Sequence, residues 1–375
     1  MGMTGAVVVK KIILDGTCIK SNSTGIGNYA ISLAIALQKY AKEAEFHVLL
    51  RRNYDNKNVL PSNINIIRGI CDKSKYLPWD FEGFNGNYDL LHEPNFIPRK
   101  FSGPTIVTIA DLSCFLYPQF QPFRRVQMAQ FFKNRMLEAD HILTISENSK
   151  HEIIEHFKVP EEKVTVTYLG CSLRNDDRRA AKSEEQLFLA GIKIKSPFIL
   201  SVCTLEPRKN LLCLLDAFSV LCQQGISRDL KLVLAGGKGW MYNEIFARFK
   251  ERQIDDRVIV TGYVSDAELS ILYRNALAFV YPSLYEGFGL PPLEAMSYGT
   301  PVITSNTSSL PEVVGDAGIM FDPASSEELC EAMRQVIEKD AVRLEMQKKG
   351  LEWAQKFTWE KCADETMNVY RELLY

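Results

Sequence analysis

Two adjacent cations, Arg208 and Lys209, end the segment Ser201-Val-Cys-Thr-Leu-Glu-Pro-Arg-Lys-Asn, in which an apolar run gives way to polar residues. Neighbouring positive charges at a strand end suit an anion such as a diphosphate. They stabilise it most while negative charge develops on a departing phosphate. A second segment, Tyr281-Pro-Ser-Leu-Tyr-Glu-Gly-Phe-Gly-Leu-Pro-Pro-Leu-Glu-Ala-Met, sets Glu286 and Glu294 on either side of a loop with Gly287 and Gly289. Glycine lets backbone N–H groups come close to an anion, and a helix starting at Pro291-Pro292 adds its partly positive end. The two carboxylates are paired acceptors for sugar hydroxyls. They do not fit a glycosidase pair on a continuous helix: eight residues would put them about 12 Å apart, past the limit of roughly 9.5 Å. The prolines forbid such a helix, so the loop folds back and both carboxylates can face one ligand. The plainer alternative makes Glu294 a helix-start residue, Glu286 a solvated acid and the cation pair two surface charges.

Weaker signals lie in the first half. Gly25 and Gly27, in Ser23-Thr-Gly-Ile-Gly-Asn-Tyr, open a helical pattern after the first strand. Position 30 is Ala, so G-x-G-x-x-G is incomplete and a plain strand-to-helix turn explains the pair equally well. His92 in Leu90-Leu-His-Glu-Pro-Asn and Asp111 in Thr108-Ile-Ala-Asp-Leu-Ser follow later strands, and His92 reads equally as a core histidine. His151 and His156 are five apart rather than four, which reads as a solvated helix face and not a zinc helix. Gly236-Gly-Lys-Gly-Trp lacks the phosphate-loop pattern and reads as a turn. The stretch Phe123–Leu137 mixes cations with apolar residues at helical spacing, for core packing or for an anionic membrane surface.

These residues need elements to hold them. Apolar strand patterns at 11–14, 45–50, 88–92, 105–109, 141–144 and 163–167 alternate with helical ones at 29–40, 124–139 and 149–157. The pattern restarts with strands at 198–202, 231–235, 258–260, 278–281 and 301–304, and helices near 210–223, 243–252, 266–275, 292–298, 326–338 and 341–356. Such alternation predicts parallel α/β sheets, which bind ligands where strands lead into helices. The charged stretch from Asn175 predicts a linker over 176–195, between an N-terminal domain (1–175) and a C-terminal one (196–357). Thr358 predicts the N-cap of a last helix, 358–375.

Composition narrows the function. A chain of 375 residues, 46% hydrophobic and 24% charged, is an ordinary globular one of two domains. Formal charge is −2, which gives nucleic acid no bulk attraction. Residues 1–180 carry 23 Lys/Arg against 19 Asp/Glu, a mild bias toward an anionic surface. Nine cysteines, an odd number without C-x-x-C, read as reduced thiols and neither disulfides nor a zinc site. The first residues read as leader plus first strand, and no run is long enough to span a membrane, so the expected location is cytoplasmic, at most peripheral at the inner membrane.

The loop with Glu286 and Glu294 resembles the E-x7-E motif of retaining glycosyltransferases of family four, and Glu294-Ala-Met-Ser-Tyr-Gly-Thr-Pro through Leu310-Pro-Glu-Val-Val-Gly continues the likeness. It is close over 196–322 and holds in outline over most of the chain. The resemblance implies a GT-B fold: two Rossmann-like doubly wound domains facing a cleft, with the last helix crossing back to the first. It implies catalytic roles for Arg208 and Lys209 on the diphosphate, for Glu286 on the hexose and for Asp111. Donor contacts fall to Gly25, Gly27, Gly287, Phe288, Gly289, Leu290 and Val264, with ribose on Glu294, and His92 lies on the acceptor side. The family usually has His before this Asp, where this chain has Ala110, so a histidine base is not carried over; the leaving phosphate itself can take the proton. The implied co-substrate is a nucleotide-diphosphate sugar, GDP-mannose by the look of Glu206-Pro-Arg-Lys-Asn and His92-Glu-Pro-Asn, with no metal and no further cofactor. The implied acceptor is a growing surface polysaccharide or lipid-linked glycan. UDP- or dTDP-sugar transfer, epimerase or phosphorylase chemistry, and a non-catalytic nucleotide-binding partner stay open.

Overall fold

The computed structural model describes residues 9–20, 25–51, 59–68, 87–95, 101–171, 182–192, 194, 197–227 and 229–375. The predicted leader, Ser23 and Thr24 of the glycine loop, Cys71 and most of the polar run after Asn175 lie outside them. The chain divides into two compact units. The first takes residues to Leu116, Phe123–Gly170 and Thr358–Tyr375; the second takes Tyr117–Pro122 and Cys171–Phe357.

The first unit is built on a parallel sheet of seven strands: β1 (Lys10–Asp15), β2 (Ala44–Leu50), β3 (Asn65–Arg68), β4 (Leu90–Glu93), β5 (Thr105–Thr108), β6 (His141–Thr144) and β7 (Val164–Val166). Its helices are α1 (Ile26–Tyr40), α2 (Ser113–Leu116), α3 (Phe123–Glu138) and α4 (Glu147–Phe157). The second unit opens with α5 (Lys182–Gly191) and holds β8 (Phe198–Val202), α6 (Leu211–Gln223), β9 (Lys231–Ala235), α7 (Asn243–Glu251), β10 (Val258–Gly262) and α8 (Asp266–Asn275). It continues with β11 (Ala278–Tyr281), α9 (Leu290–Ser297), β12 (Val302–Ser305), α10 (Leu310–Val314), β13 (Ile319–Phe321), α11 (Ser326–Glu338) and α12 (Asp340–Ala354). The last helix, α13 (Trp359–Leu374), belongs to the first unit.

Sheet order is β3-β2-β1-β4-β5-β6-β7 in one unit and β10-β9-β8-β11-β12-β13 in the other, and every pairing is parallel. Strand order therefore reverses between β1 and β4, and again between β8 and β11. Adjacent loops diverge at such a switch point and leave a crevice at the carboxyl ends of the strands. Central strands β4, β6, β11 and β12 are buried along their whole length, which is why none of them alternates an apolar face with a solvated one.

Three features depart from the sequence expectation. The predicted linker 176–195 carries α5, held to α8 by Glu185 accepting from Arg274 at 2.8 Å. Strands β3 and β13, each at an edge of its sheet, escaped notice; both are short and only partly buried, so their apolar signal is weak. Helix α9 starts at Leu290, one residue before the proline pair.

Thr358 caps α13 as expected, its hydroxyl accepting from the Lys361 N–H. The chain enters that helix so close to Gly170 that a Cβ there would lie 2.2 Å from the Trp359 nitrogen. A buried chain of hydrogen bonds then fixes the helix. Tyr29 Oη meets Thr108 Oγ1 at 3.1 Å, Thr108 Oγ1 meets His92 Nε2 at 2.7 Å, and His92 Nδ1 meets Tyr370 Oη at 2.6 Å. Four elements, α1, β5, β4 and α13, thus share one polar thread inside an apolar core. Removing one member strands the next, at a cost of about 1–3 kcal/mol for a buried polar group. Tyr370→Phe should lower stability by that amount in urea unfolding, and Tyr370→Phe with His92→Phe together should cost less than the sum of the two; strict additivity would show that the thread is not one unit.

Candidate functional site

The second unit gathers Arg208, Lys209 and Glu286 into one group at the β8–β11 switch point. Arg208 and Lys209 lie in a short 3-10 turn, Pro207–Lys209, that follows β8, and Asn210 ends it with φ at 52°. Glu286 lies in the loop after β11. Its carboxylate accepts from Lys209 Nζ at 2.5 Å and from Arg208 Nη1 at 3.0 Å. Lys209 also donates to the Tyr281 hydroxyl at 2.8 Å. Arg208 donates through Nη1 to the Tyr285 carbonyl at 2.7 Å and through Nη2 to Glu206 Oε1 at 2.7 Å. The reading of two surface cations is thereby overturned: Lys209 is 8% exposed and Glu286 likewise 8%. Burial by itself would raise the Glu286 pKa, but the charges of Arg208 and Lys209 win and hold it at about 2.

Glu286 stays in reach because its loop is stapled from the next strand connection. Ser305 Oγ donates to the Ser283 carbonyl, Ser308 Oγ accepts from the Glu286 N–H at 2.9 Å, and Ser309 Oγ donates to the carbonyls of Glu286 and Phe288 at 2.9 and 2.7 Å. The run Ser305-Asn-Thr-Ser-Ser was not singled out from the sequence. Gly289, the N-cap of α9, has φ at 117°, a region that side chains avoid, and a Cβ there would press on Leu310 at 2.9 Å. Phe288 turns its ring inward against Phe357. Leu290 begins α9, and Gly287 lies between Glu286 and Phe288 in the same loop.

Glu294 is held apart from that group, on α9. It accepts from the Tyr273 hydroxyl at 3.0 Å, and burial pushes its pKa up to about 7, against the opposing pull of that hydrogen bond. The two carboxylates are thus unlike: Glu286 is firmly ionised, and Glu294 changes charge near neutrality. Tyr273 was not foreseen, since nothing in a helix sequence marks a tyrosine that reaches a residue on the next helix. Val264 is half-buried just after β10, beside exposed Tyr263. The glycine turn Gly236–Trp240 lies against residues 203–206: a Cβ at Gly236 would fall 2.0 Å from the Cys203 carbonyl oxygen.

In the first unit, Gly25 caps α1 with φ at 51° and open space beside it, and Gly27 is buried within the first turn. Asp111 is half-buried, and one oxygen accepts from the Ser113 N–H at 2.8 Å. His92 corrects the expectation of an acceptor-side residue. It is 0% exposed, both ring nitrogens are taken, and burial drives its pKa down to about 3, so it is a neutral core histidine. Thiols follow the same logic: burial pushes Cys18, Cys203 and Cys362 up to about 12. Among the described residues no group of three or more His, Cys, Asp or Glu side chains is placed to hold a metal.

A depressed carboxylate pKa stabilises the fold above the unfolded value and is lost as pH falls through the folded one. For Glu286 that window runs from about 4.5 down to about 2. Glu286→Gln should therefore lose on the order of 3 kcal/mol at pH 7, and the gap to the unaltered chain should narrow as pH drops below about 4.5. A gap in urea unfolding that is the same at pH 7 and pH 3.5 would contradict this assignment.

Comparison with known proteins identifies the family and the fold. Residues 182–353 match the family model of glycosyl transferases group 1. The chain is 37% identical over 291 residues to O-antigen chain mannosyltransferase B of Escherichia coli, covering 76% of this chain and 74% of that one. It is 30% identical to the serotype-specific mannosyltransferase WbdA of Escherichia coli over 82% of its own length, though it spans only 38% of WbdA. Among solved structures it superposes on sucrose-phosphate synthase from Thermosynechococcus elongatus with a TM-score of 0.77, at 21% identity over 97% of this chain and 99% of the other. These matches and the two parallel-sheet units lead to one conclusion: the chain is a member of the glycosyl transferases group 1 family, with the GT-B fold.

Proposed function

We propose that this protein transfers mannose from GDP-mannose, with retention of configuration, to a growing surface-polysaccharide or lipid-linked glycan. The observation that carries the reading is the buried Arg208–Lys209–Glu286 group at the β8–β11 switch point, in a chain 37% identical to an O-antigen mannosyltransferase. Positive potential from Lys209 and Arg208 receives the diphosphate. Glu294 takes the ribose hydroxyls, and Glu286 with the Gly287–Leu290 backbone takes the hexose. In the transfer the bond from sugar C1 to the diphosphate oxygen breaks, and a bond from the acceptor oxygen forms on the same face. The acceptor proton passes to the departing phosphate oxygen, which spares the chain a base of its own. Cationic charge pre-aimed at that oxygen is the kind of term worth about 10²–10³ in rate. The proposed transfer uses no metal ion; Lys209 is the cation offered to the diphosphate.

The acceptor surface has a feature to match. On α3, Phe123 and Phe131 are 74% and 71% exposed among Arg124, Arg125, Lys133 and Arg135. No described helix is long and apolar enough to cross a membrane. We propose peripheral contact of α3 with an anionic lipid surface, apolar rings inserted and cations on the headgroups. Phe123→Ser with Phe131→Ser should abolish co-sedimentation with phosphatidylglycerol vesicles; undiminished binding would remove α3 from that role.

The central test is a donor screen with lipid-linked glycan acceptors, read by product mass and by the anomeric coupling of the new sugar. GDP-mannose should be used at least tenfold better than UDP- or dTDP-sugars, in chelator as well as without it, and the product should be an α-mannoside. A β-mannoside, a preference for another donor, or a rate that needs a divalent ion would overturn the respective part of the proposal.

A further inference from the structure

The two cations at the end of β8 are not held alike, and the difference divides their labour. Arg208 is anchored through both terminal guanidinium nitrogens and through its backbone carbonyl. Its own carbonyl accepts from the Leu284 N–H at 2.9 Å, and its guanidinium spans the Tyr285 carbonyl, Glu286 and Glu206. Three successive residues of the β11 loop are thus tied to this one side chain and its backbone. Glu206 is 2% exposed, so its ionised form relies on Arg208 for compensation. A planar fork held at three points is a bracket. Lys209 is a single charged point with three N–H donors. Tyr281 and Glu286 take two, and the third has no partner among the described residues.

We infer that Glu206 and Arg208 are positioning residues that fix the Leu284–Glu286 loop, and that Lys209 alone touches the diphosphate. The inference rests on the reading of the site as a diphosphate site and assigns its parts. Glu206 draws the guanidinium away from the ligand side of the turn, and the fork geometry keeps Glu286 in its working place. Arg208 then contributes through the loop it holds, while Lys209 donates its third N–H to a phosphate oxygen. Nothing in the sequence separates the two roles, since Arg208 and Lys209 are adjacent and both basic.

Titration calorimetry of GDP against GMP, with UDP and UMP in parallel, isolates the second phosphate as a ratio of affinities. Turnover of the donor gives the companion measurement. Lys209→Gln should collapse the diphosphate-to-monophosphate ratio by tenfold or more. Arg208→Gln and Glu206→Gln should leave that ratio within threefold of the unaltered chain while lowering kcat at least tenfold. Arg208→Lys should fail to restore kcat, because it returns the charge without the fork, and the Glu206→Gln/Arg208→Gln pair should cost no more than Arg208→Gln alone. Folding of each variant is checked by circular dichroism, and Glu206→Gln and Arg208→Lys keep the test alive if Arg208→Gln does not fold. A ratio that collapses in Arg208→Gln, full turnover in Arg208→Lys, or a Glu206→Gln variant indistinguishable from the unaltered chain would overturn the inference. If the unaltered chain itself binds di- and monophosphate equally, the diphosphate reading falls and takes the inference with it.

Discussion

The carboxylate of Glu286, held between Lys209 and Arg208, is the interaction on which the second unit is organised. Three charges are largely withdrawn from water there, and each would be costly alone. Glu206 supplies a fourth, so two cations and two anions balance within one network. Because the members come from the ends of β8 and β11, the network also joins the two strands at which the sheet changes direction. On the proposed reading, a charge cluster that neutralises itself at a switch point is ready to offer the third N–H of Lys209 to an anionic ligand. An apolar core could not do so, nor could a cluster of one sign, which would resist folding before any ligand arrived.

That readiness depends on keeping the loop after β11 from collapsing. Hydroxyls from Ser305, Ser308 and Ser309 satisfy its backbone groups, and Gly289 supplies a backbone angle that allows α9 to begin where it does. The hydroxyls are short and lose little side-chain freedom when fixed, so they order the loop at small entropic cost. Glu294, one turn into α9, is tuned in the opposite direction from Glu286 by its burial, which the cations beside Glu286 outweigh there. Two carboxylates in one segment thus differ in charge state near neutrality for reasons that lie in their neighbours rather than in their chemistry.

The first unit shows the complementary arrangement. Its buried polar thread of Tyr29, Thr108, His92 and Tyr370 is neutral throughout and serves cohesion. Low dielectric strengthens these hydrogen bonds and makes each loss expensive, which suits the docking of a helix that arrives from the far end of the chain. The tight passage of Trp359 over Gly170 belongs to the same device.

Much of this was legible in the sequence. Apolar runs announced parallel strands, glycines and prolines marked the junctions, and Arg208, Lys209, Glu286 and Glu294 could be singled out because charged residues at strand ends have few structural reasons to be there. Local patterns carry that information, since periodicity and turn chemistry act over a few residues. Partnerships across the chain do not reside in any local pattern. Which carboxylate the cations would hold, that Tyr273 would reach Glu294, that His92 would be sealed in the core by Tyr370, and that a charged stretch taken for a linker would carry α5 were all settled by packing. Tertiary structure decided them because burial and charge pairing act between residues that are distant in sequence and meet only when the sheets have formed.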